Sequence, residues 1–538
     1  MDIQTYSNQG LIKWRQNKKS NRDGFVDFNN PDFVKYAESF GAMGNQVCPV
    51  WTTQNNIEGS QVEEFNVMVP GAKATGRVEV TSPFDGKVVG SVPTIDAAGA
   101  ERALQNADAL FRDRSCWLPA HERMAILEKT AALMEAQFDE LVQLALSEGG
   151  KPFNDSRVEV ARAIDGVKNC IECMRSEHGM EIPMRLNPAS ANRLAMTSRE
   201  PIGVVMAVSA FNHPLNLIVH QVGPALATGC PVIVKPATDT SLSCFKFIEL
   251  LREAGLPEAW AQAVCVESND LAASMVTDAR VAFFSFIGSA RVGWMLKSQL
   301  APGTRCALEH GGVAPAIVAA DADLETMLPL LVKGGFYHAG QVCVSVQRVY
   351  AEAAIAEELA QRMATMAKTL KVGDPADPET EVGPLIRHQE TDRVAEWVDE
   401  AVAAGAKLLC GGNKISAALY APTVLLNPPD DITISQNEVF GPVVCVYSYD
   451  TIEEAISRAN ALPFSFQASV MTRSIDKALV AYKHLNAAAV MVNDHTAFRV
   501  DWMPFAGLKQ SGYGVGGIPY TYDDMQVEKM LVMKSESL

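Results

Sequence analysis

Long hydrophobic runs are missing: none in the 538 residues reaches the ~18 apolar positions that crossing a bilayer requires. The opening MDIQTYSNQG has neither a basic stretch nor an apolar core, so no secretory leader is expected. Positive charge is in short supply. Against 63 Asp and Glu stand 46 Lys and Arg, a formal net charge of −17. That balance speaks against nucleic acid and against an anionic membrane surface as partners. A small anionic ligand is not excluded, because one local arginine outweighs a diffuse field. Cysteine spacing forms no framework. The 11 cysteines are odd in number and scattered, the usage of unpaired thiols in a reducing cytoplasm. Cys170 and Cys173 make a lone CxxC without a second pair, so no metal site is expected. The remaining composition, 48% hydrophobic and 20% charged, is that of a globular chain long enough for two or more domains.

Residues 1–48 are polar and rich in Asn and Lys. Their pieces SNQGLIKWRQ and NNPDFVKYAESFGAMG resemble the end of the thiamine-diphosphate-binding domain of acetolactate-synthase-like enzymes. The upstream GDG and metal-binding portion of that family is missing, so no thiamine diphosphate is expected and the segment reads as an appendage. Residues 49–64 read as a polar linker. From residue 65 the texture becomes α/β. Residues 77–92 alternate and turn at Asp85-Gly86, a hairpin signal. Residues 97–111 and 119–147 have helical period, the second as one long amphipathic helix. Apolar strands at 202–209, 231–234 and 281–286 alternate with helices at 220–228 and 241–254, which predicts a parallel sheet with crossover connections. A second α/β series follows residue 309, with helices at 353–369, 388–404 and 452–461 and strands at 443–447, 469–472 and 489–492. Residues 181–198 read as a bridging strand, and 530–534 as a tail strand able to join a neighbour.

The stretch GGFYHAGQVCVSVQR sets Cys343 in a small-residue turn between a helix-like run at 327–332 and a strand-like run at 342–350. A thiol at such a junction can be oriented, partly exposed and made acidic, as a nucleophile requires. Cys306 lies in a strand-like run without such a turn and reads as core. Asn212 follows one strand end (AVSAFNHPLNL) and Lys235 the next (VIVKPATDTS). Gly288 and Ser289 sit in the strand-to-helix turn FIGSARVG, and Glu309 precedes a glycine pair in LEHGGVAP. In a doubly wound sheet ligands collect at the carboxyl ends of strands. Three of these four stretches lie at such ends, and the fourth is expected to fold back there. Residues 512–517, GYGVGG, satisfy G-x-G-x-x-G but open no βαβ unit, since too little chain follows.

Together these stretches resemble the NAD(P)-dependent aldehyde dehydrogenase superfamily over residues 77–531, with further matching pieces in VGDPADPETEVGPLI, NEVFGPV and PFAGLKQSGYG. The resemblance implies a Rossmann-type cofactor domain at 65–180 and 200–309 and an α/β catalytic domain at 310–510. It also implies a small β oligomerisation element at 181–199 and 518–538, hence a homodimer or homotetramer. It implies Cys343 as nucleophile, Asn212 with the Cys343 N–H as oxyanion donors, and Glu309 as general base. For NAD or NADP it implies Lys235 at the adenine-side ribose, Ser289 at the pyrophosphate, and Glu438 with Phe440 at the nicotinamide ribose. Thr238 stands where many members have a Glu that repels a 2′-phosphate, so NADP is expected to be accepted or preferred. His310 replaces the usual Leu, either as a packed residue or as a modulator of Glu309. Arg499, in TAFRVDWM, either pairs with an anionic group of a short aldehyde or forms a structural salt bridge. His213 is a further donor. Val342 stands where some anion-using relatives carry Arg. Two other readings remain open at this point: a CoA-acylating dehydrogenase, disfavoured by Glu309, and a non-catalytic protein on the same scaffold.

Overall fold

The computed structural model describes residues 63–538. The appendage expected at 1–48, and all but the end of the linker expected at 49–64, lie outside the described residues. Glu63–Glu64 is a short strand that pairs in parallel with Gly90 and Ser91. The expected hairpin is present: Gly76–Thr81 runs antiparallel to Val88–Ile95, and Gly86 takes the positive φ (+73°) that its turn requires.

Five near-continuous apolar strands build the first large sheet: Val204–Val208, Val232–Lys235, Ala261–Ala263, Val281–Ile287 and Arg305–Glu309. They are parallel, and in space they run third, second, first, fourth, fifth. The order reverses between Val204–Val208 and Val281–Ile287, which opens a crevice above their carboxyl ends. Gly512–Tyr513 closes one edge antiparallel to Leu308 and Glu309. The second large sheet centres on Ala314–Val318 and Val346–Glu352 and has Lys407–Cys410 as its antiparallel edge. Each sheet has its own buried core, the first around Val205, Phe245 and Phe283, the second around Ile317, Tyr350 and Val444. Gln526–Lys534 pairs antiparallel with Arg193–Pro201, and Glu181–Ile182 pairs on the other side. The tail strand thus joins its own chain, while Met530, Leu531, Val532 and Met533 stay exposed along it.

Two expectations are corrected. The helix expected over 119–147 is two, Ala120–Ala136 and Phe138–Gly149, because Gln137 leaves helical geometry (φ −105°, ψ 25°) and turns the chain. The strand expected from residue 342 begins at Val346. The Ser345 N–H donates to the Val342 carbonyl at 2.9 Å, folding the intervening residues into a turn. That turn carries Cys343. Among the described residues no helix is long and apolar enough to cross a membrane, and no cluster of His, Cys, Asp or Glu is arranged to hold a metal ion.

Candidate active site

A cleft of about 400 Å³ opens where the two large sheets meet. Every site residue assigned from the sequence lines it except Lys235. All four strand-end stretches converge there. Glu309, expected to fold back, is itself the last residue of its strand, in register with Ile287 and Gly512.

The cysteine turn is built by backbone constraint. Helix Leu324–Phe336 ends in a short turn where His338 (φ 47°) and Ala339 (φ 54°) are left-handed, followed by Gly340 (φ 72°). Each left-handed non-glycine residue costs ~1–3 kcal/mol and persists only where its surroundings hold it. Gln341 supplies part of that hold: its side chain donates to Pro384 O (3.2 Å) and accepts from the Ile386 N–H (2.9 Å). Gly340 has no alternative, since a Cβ there would lie 2.1 Å from Gly441 O. Asn212 is buried and donates one amide N–H to Gln341 O at 2.9 Å, which leaves its second N–H for a ligand. The Cys343 N–H has no hydrogen-bond partner among the described residues. The acidic thiol expected from the sequence is corrected. Burial pushes Cys343 up to about 12, and Arg499 nearby only partly offsets this. In this state the sulfur is a neutral thiol facing the cleft. Cys306 is half-buried, packs against the core around Met206 and Phe284, and lines a separate pocket with Lys297 and Tyr513, so it lies outside the cleft.

Burial also raises the Glu309 carboxyl above its ordinary range, with Arg499 opposing. Glu309 rests against Gly516, where an added Cβ would lie 1.9 Å from Oε1. On the far side, the Lys151 ammonium is wholly buried, ion-paired with Glu159, and 2.8 Å from His213 Nδ1. An ammonium has only protons to give, so Nδ1 accepts and the His213 proton resides on Nε2. Burial first, then the Lys151 charge, holds His213 well below the usual imidazole range, so it stays neutral. Glu159 also accepts from the Leu215 and Asn216 N–H groups (3.0 and 3.1 Å), fixing the start of helix Asn216–Thr228 just past Asn212.

Arg499 lies 3.4 Å over the Phe505 ring, and its Nη2 is 3.4 Å from His220 Nδ1. His220 in turn donates from Nε2 to Asp501 at 2.7 Å. Asp501 is already taken by Arg162, whose Nε and Nη2 grip both oxygens at 3.0 and 2.7 Å. The salt-bridge reading of Arg499 is therefore corrected. Among the described residues no carboxylate lies within salt-bridge reach of it, and its Nε is buried without a partner. Arg162 lines the same cleft and was missed from the sequence, because it sits mid-helix in Phe153–Ser176 with no motif around it. Phe211, Tyr337 and Phe505 also line the cleft; each lies inside a quoted motif but was passed over, because an apolar or aromatic side chain there reads as packing.

The cofactor end has a different character. Ser289 begins helix Ala290–Lys297 without a side-chain cap, which leaves its first N–H groups open to an anion. Thr238 is exposed at the mouth. The Lys235 ammonium turns away from the cleft lining to Pro236 O, 3.3 Å distant. Glu438 accepts from the Gly312 N–H at 3.1 Å, and burial pushes it up to about 8. Phe440 (φ 47°) is held edge-on to Phe211 with ring centroids 5.7 Å apart. His310 proves to be a packed residue. Its Nδ1 donates to Gly288 O at 3.0 Å, and its ring lies between Phe286 and Trp294, over Gly293. An open helix N-terminus at a switch point and a neutral mouth fit a dinucleotide.

A doubly wound sheet open for a dinucleotide, facing a thiol, a carboxylate and an amide across one cleft, defines an oxidoreductase that works through a cysteine. The chain belongs to the aldehyde dehydrogenase family, whose model matches residues 69–531. It is similar to a 3-sulfolactaldehyde dehydrogenase of Priestia aryabhattai, 36% identical over 88% of this chain and 99% of the relative. Among solved structures it is similar to aldehyde dehydrogenase 21 of Physcomitrella patens in complex with its reaction product succinate, with TM-score 0.84, 34% identity, and coverage of 88% of this chain and 99% of that one. It is likewise similar to a glyceraldehyde-3-phosphate dehydrogenase of Methanocaldococcus jannaschii complexed with NADP, with TM-score 0.81, 31% identity, and coverage of 86% and 100%. The protein is an NAD(P)-dependent aldehyde dehydrogenase.

Proposed function

We propose that the enzyme oxidises a short, polar or monoanionic aldehyde to its carboxylic acid through a thiohemiacetal and a thioester on Cys343. The observation that carries the substrate class is Arg499, a guanidinium in the cleft that makes no salt bridge to any described carboxylate, Asp501 being held by Arg162. The names of the relatives support it, since sulfolactaldehyde and the product succinate both bear an acid group.

NADP or NAD, when bound, supplies the hydride acceptor. The chain's own residues do the rest. Cys343 Sγ adds to the aldehyde carbon, and the thiol proton leaves to solvent. Asn212 Nδ2 and the Cys343 N–H then face the developing oxyanion, as preorganised donors that need no rearrangement. His213 presents Nε2–H as a neutral donor to a hydroxyl or acid oxygen of the substrate. Glu309 takes a proton from the water that cleaves the thioester. Burial raises its carboxyl above the ordinary range, which makes it a stronger base than a free carboxylate. We assign cofactor binding to residues 65–180 and 200–309, with Ser289, Gly288 and Thr238 on the dinucleotide, Glu438 and Phe440 at its nicotinamide end, and Lys235 near the adenine-side ribose. We assign the chemistry to 310–510.

A panel of aldehydes of equal length, neutral and acid-bearing, tests the substrate class. Arg499→Ala is expected to raise KM for the acid-bearing members about 10- to 100-fold, the loss of one charge-assisted contact of ~1.5–3 kcal/mol. Neutral members should change little. Equal, small effects on both would defeat the reading. Gly516→Ala is expected to lower kcat at least ~10-fold with the cysteine still reactive, because the new methyl must displace the Glu309 carboxylate. Single-turnover hydride transfer set against steady-state turnover measures this.

We infer a homodimer or homotetramer formed through 181–199 and 518–538, supported by the exposed Met530, Leu531, Val532 and Met533 on the tail strand. Light scattering on the purified enzyme decides it; a monomer would end the inference. The described cysteines are all unpaired, which fits a cytoplasmic enzyme.

A further inference from the structure

The mouth of the cleft is spanned by an ion pair that the proposed reaction does not use. Arg387 opens helix His388–Ala403, on the side of the second sheet. Asp239 follows Thr238 in the turn after Val232–Lys235, on the side of the first. Arg387 Nε donates to Asp239 Oδ1 at 3.1 Å, and Nη2 donates to Oδ2. Arg387, Asp239 and Thr238 all line the cleft. The same three residues also line a second pocket of about 260 Å³, which opens behind Thr238. Its other polar walls are Thr81, Ser82 and His388, with Glu79 as the further carboxylate. The ion pair therefore stands where the cleft branches, beside the one residue at the adenine-side ribose whose lost carboxylate permits a phosphate.

We propose that Arg387 is the specificity-determining contact for the 2′-phosphate of NADP, with Asp239 holding the guanidinium when that phosphate is absent. The inference rests on the reading that the adenine-side ribose lies at Thr238. Both partners of the pair are partly exposed, and such a pair contributes little to stability, so a competing dianion displaces the carboxylate at small cost. A guanidinium fork matches phosphate oxygens in two parallel charge-assisted bonds, which a lysine in its place would not reproduce. NAD, lacking the phosphate, leaves the pair closed, so both cofactors are accepted and the preference is set by the contest between phosphate and Asp239. Nothing in the catalytic steps touches Arg387.

The test uses binding to the full-length enzyme without substrate, by titration calorimetry with 2′,5′-ADP and 5′-AMP as probes. The wild type is expected to bind 2′,5′-ADP at least 10-fold tighter than 5′-AMP. Arg387→Gln should remove that margin and leave 5′-AMP unchanged. Asp239→Asn should widen it several-fold, because the competing carboxylate is gone. In turnover the same variants should shift the NADP-to-NAD ratio of kcat/KM in the same directions. If Arg387→Gln weakens both probes equally, or neither, Arg387 is a structural residue and the proposal is overturned while the cofactor site stands. Thr238→Glu separates the underlying reading. It should abolish the 2′,5′-ADP margin, and if it changes neither probe the ribose lies elsewhere and both statements fall.

Discussion

Replacing Cys343 by alanine is expected to abolish aldehyde oxidation, with a loss on the order of 10⁴-fold or more in kcat/KM. Nothing else in the cleft can form the carbon–sulfur bond. Cys306 faces another pocket, and the other described cysteines lie outside the cleft lining. Cofactor binding should persist, because the Ser289 turn and Thr238 lie on the other sheet's strand ends. Fluorescence titration with NADPH checks this, and retained oxidation in the variant would end the thioester mechanism. The thiol's state makes a companion expectation. With Sγ neutral in this state and pushed up to about 12, alkylation of the free enzyme by iodoacetamide should be slow at neutral pH and should accelerate as pH rises.

Replacing Glu309 by glutamine is expected to separate the two halves of the reaction. The first turnover should still release one equivalent of NAD(P)H per active site, while steady-state kcat falls ~10²–10⁴-fold, the range for a lost general base. Acyl-enzyme should accumulate and be visible by mass spectrometry on Cys343. The pH dependence has a definite sign. As the proposed base Glu309 would work deprotonated, and burial raises its carboxyl above the ordinary range. Steady-state turnover therefore falls as pH drops through a pKa higher than that of a free carboxylic acid, and the limb disappears in Glu309→Gln. The Arg499 charge opposes the burial effect, so Arg499→Ala should move the limb further toward alkaline pH. A wild-type profile with no limb above that of a free carboxylic acid, or an unchanged burst and steady state in Glu309→Gln, would remove Glu309 from the mechanism.

Much of this site was legible in the chain because its parts are local signals. Asn212, Lys235, Ser289 and Glu309 each follow an apolar run of strand length, and such runs mark the ends where ligands gather. Cys343 was marked by the small residues before it, and the reason is now geometric: the chain turns left-handed from His338 to Gly340, and Gly340 lies against Gly441. The break at Gln137 was not legible, because two helices in series share one period when they cover one core. Arg162 and Arg387 were not legible either. Arg162 sits mid-helix and Arg387 just before a helix, and the meaning of each comes from the carboxylate that folding brings to it.

By itself the sequence determined the α/β class, the order of the motifs and the candidates for the reacting groups, since strand runs, turns, a thiol and a carboxylate are written in short local stretches. Only the tertiary structure decided which charges are spent and which are free. Asp501 lies within two residues of Arg499 in the chain, yet it neutralises Arg162, which is 339 positions away. Likewise a lysine buried far upstream determines which nitrogen of His213 carries the proton. Charge balance inside a cleft is a sum over contacts between distant segments, and no short stretch of chain contains that sum.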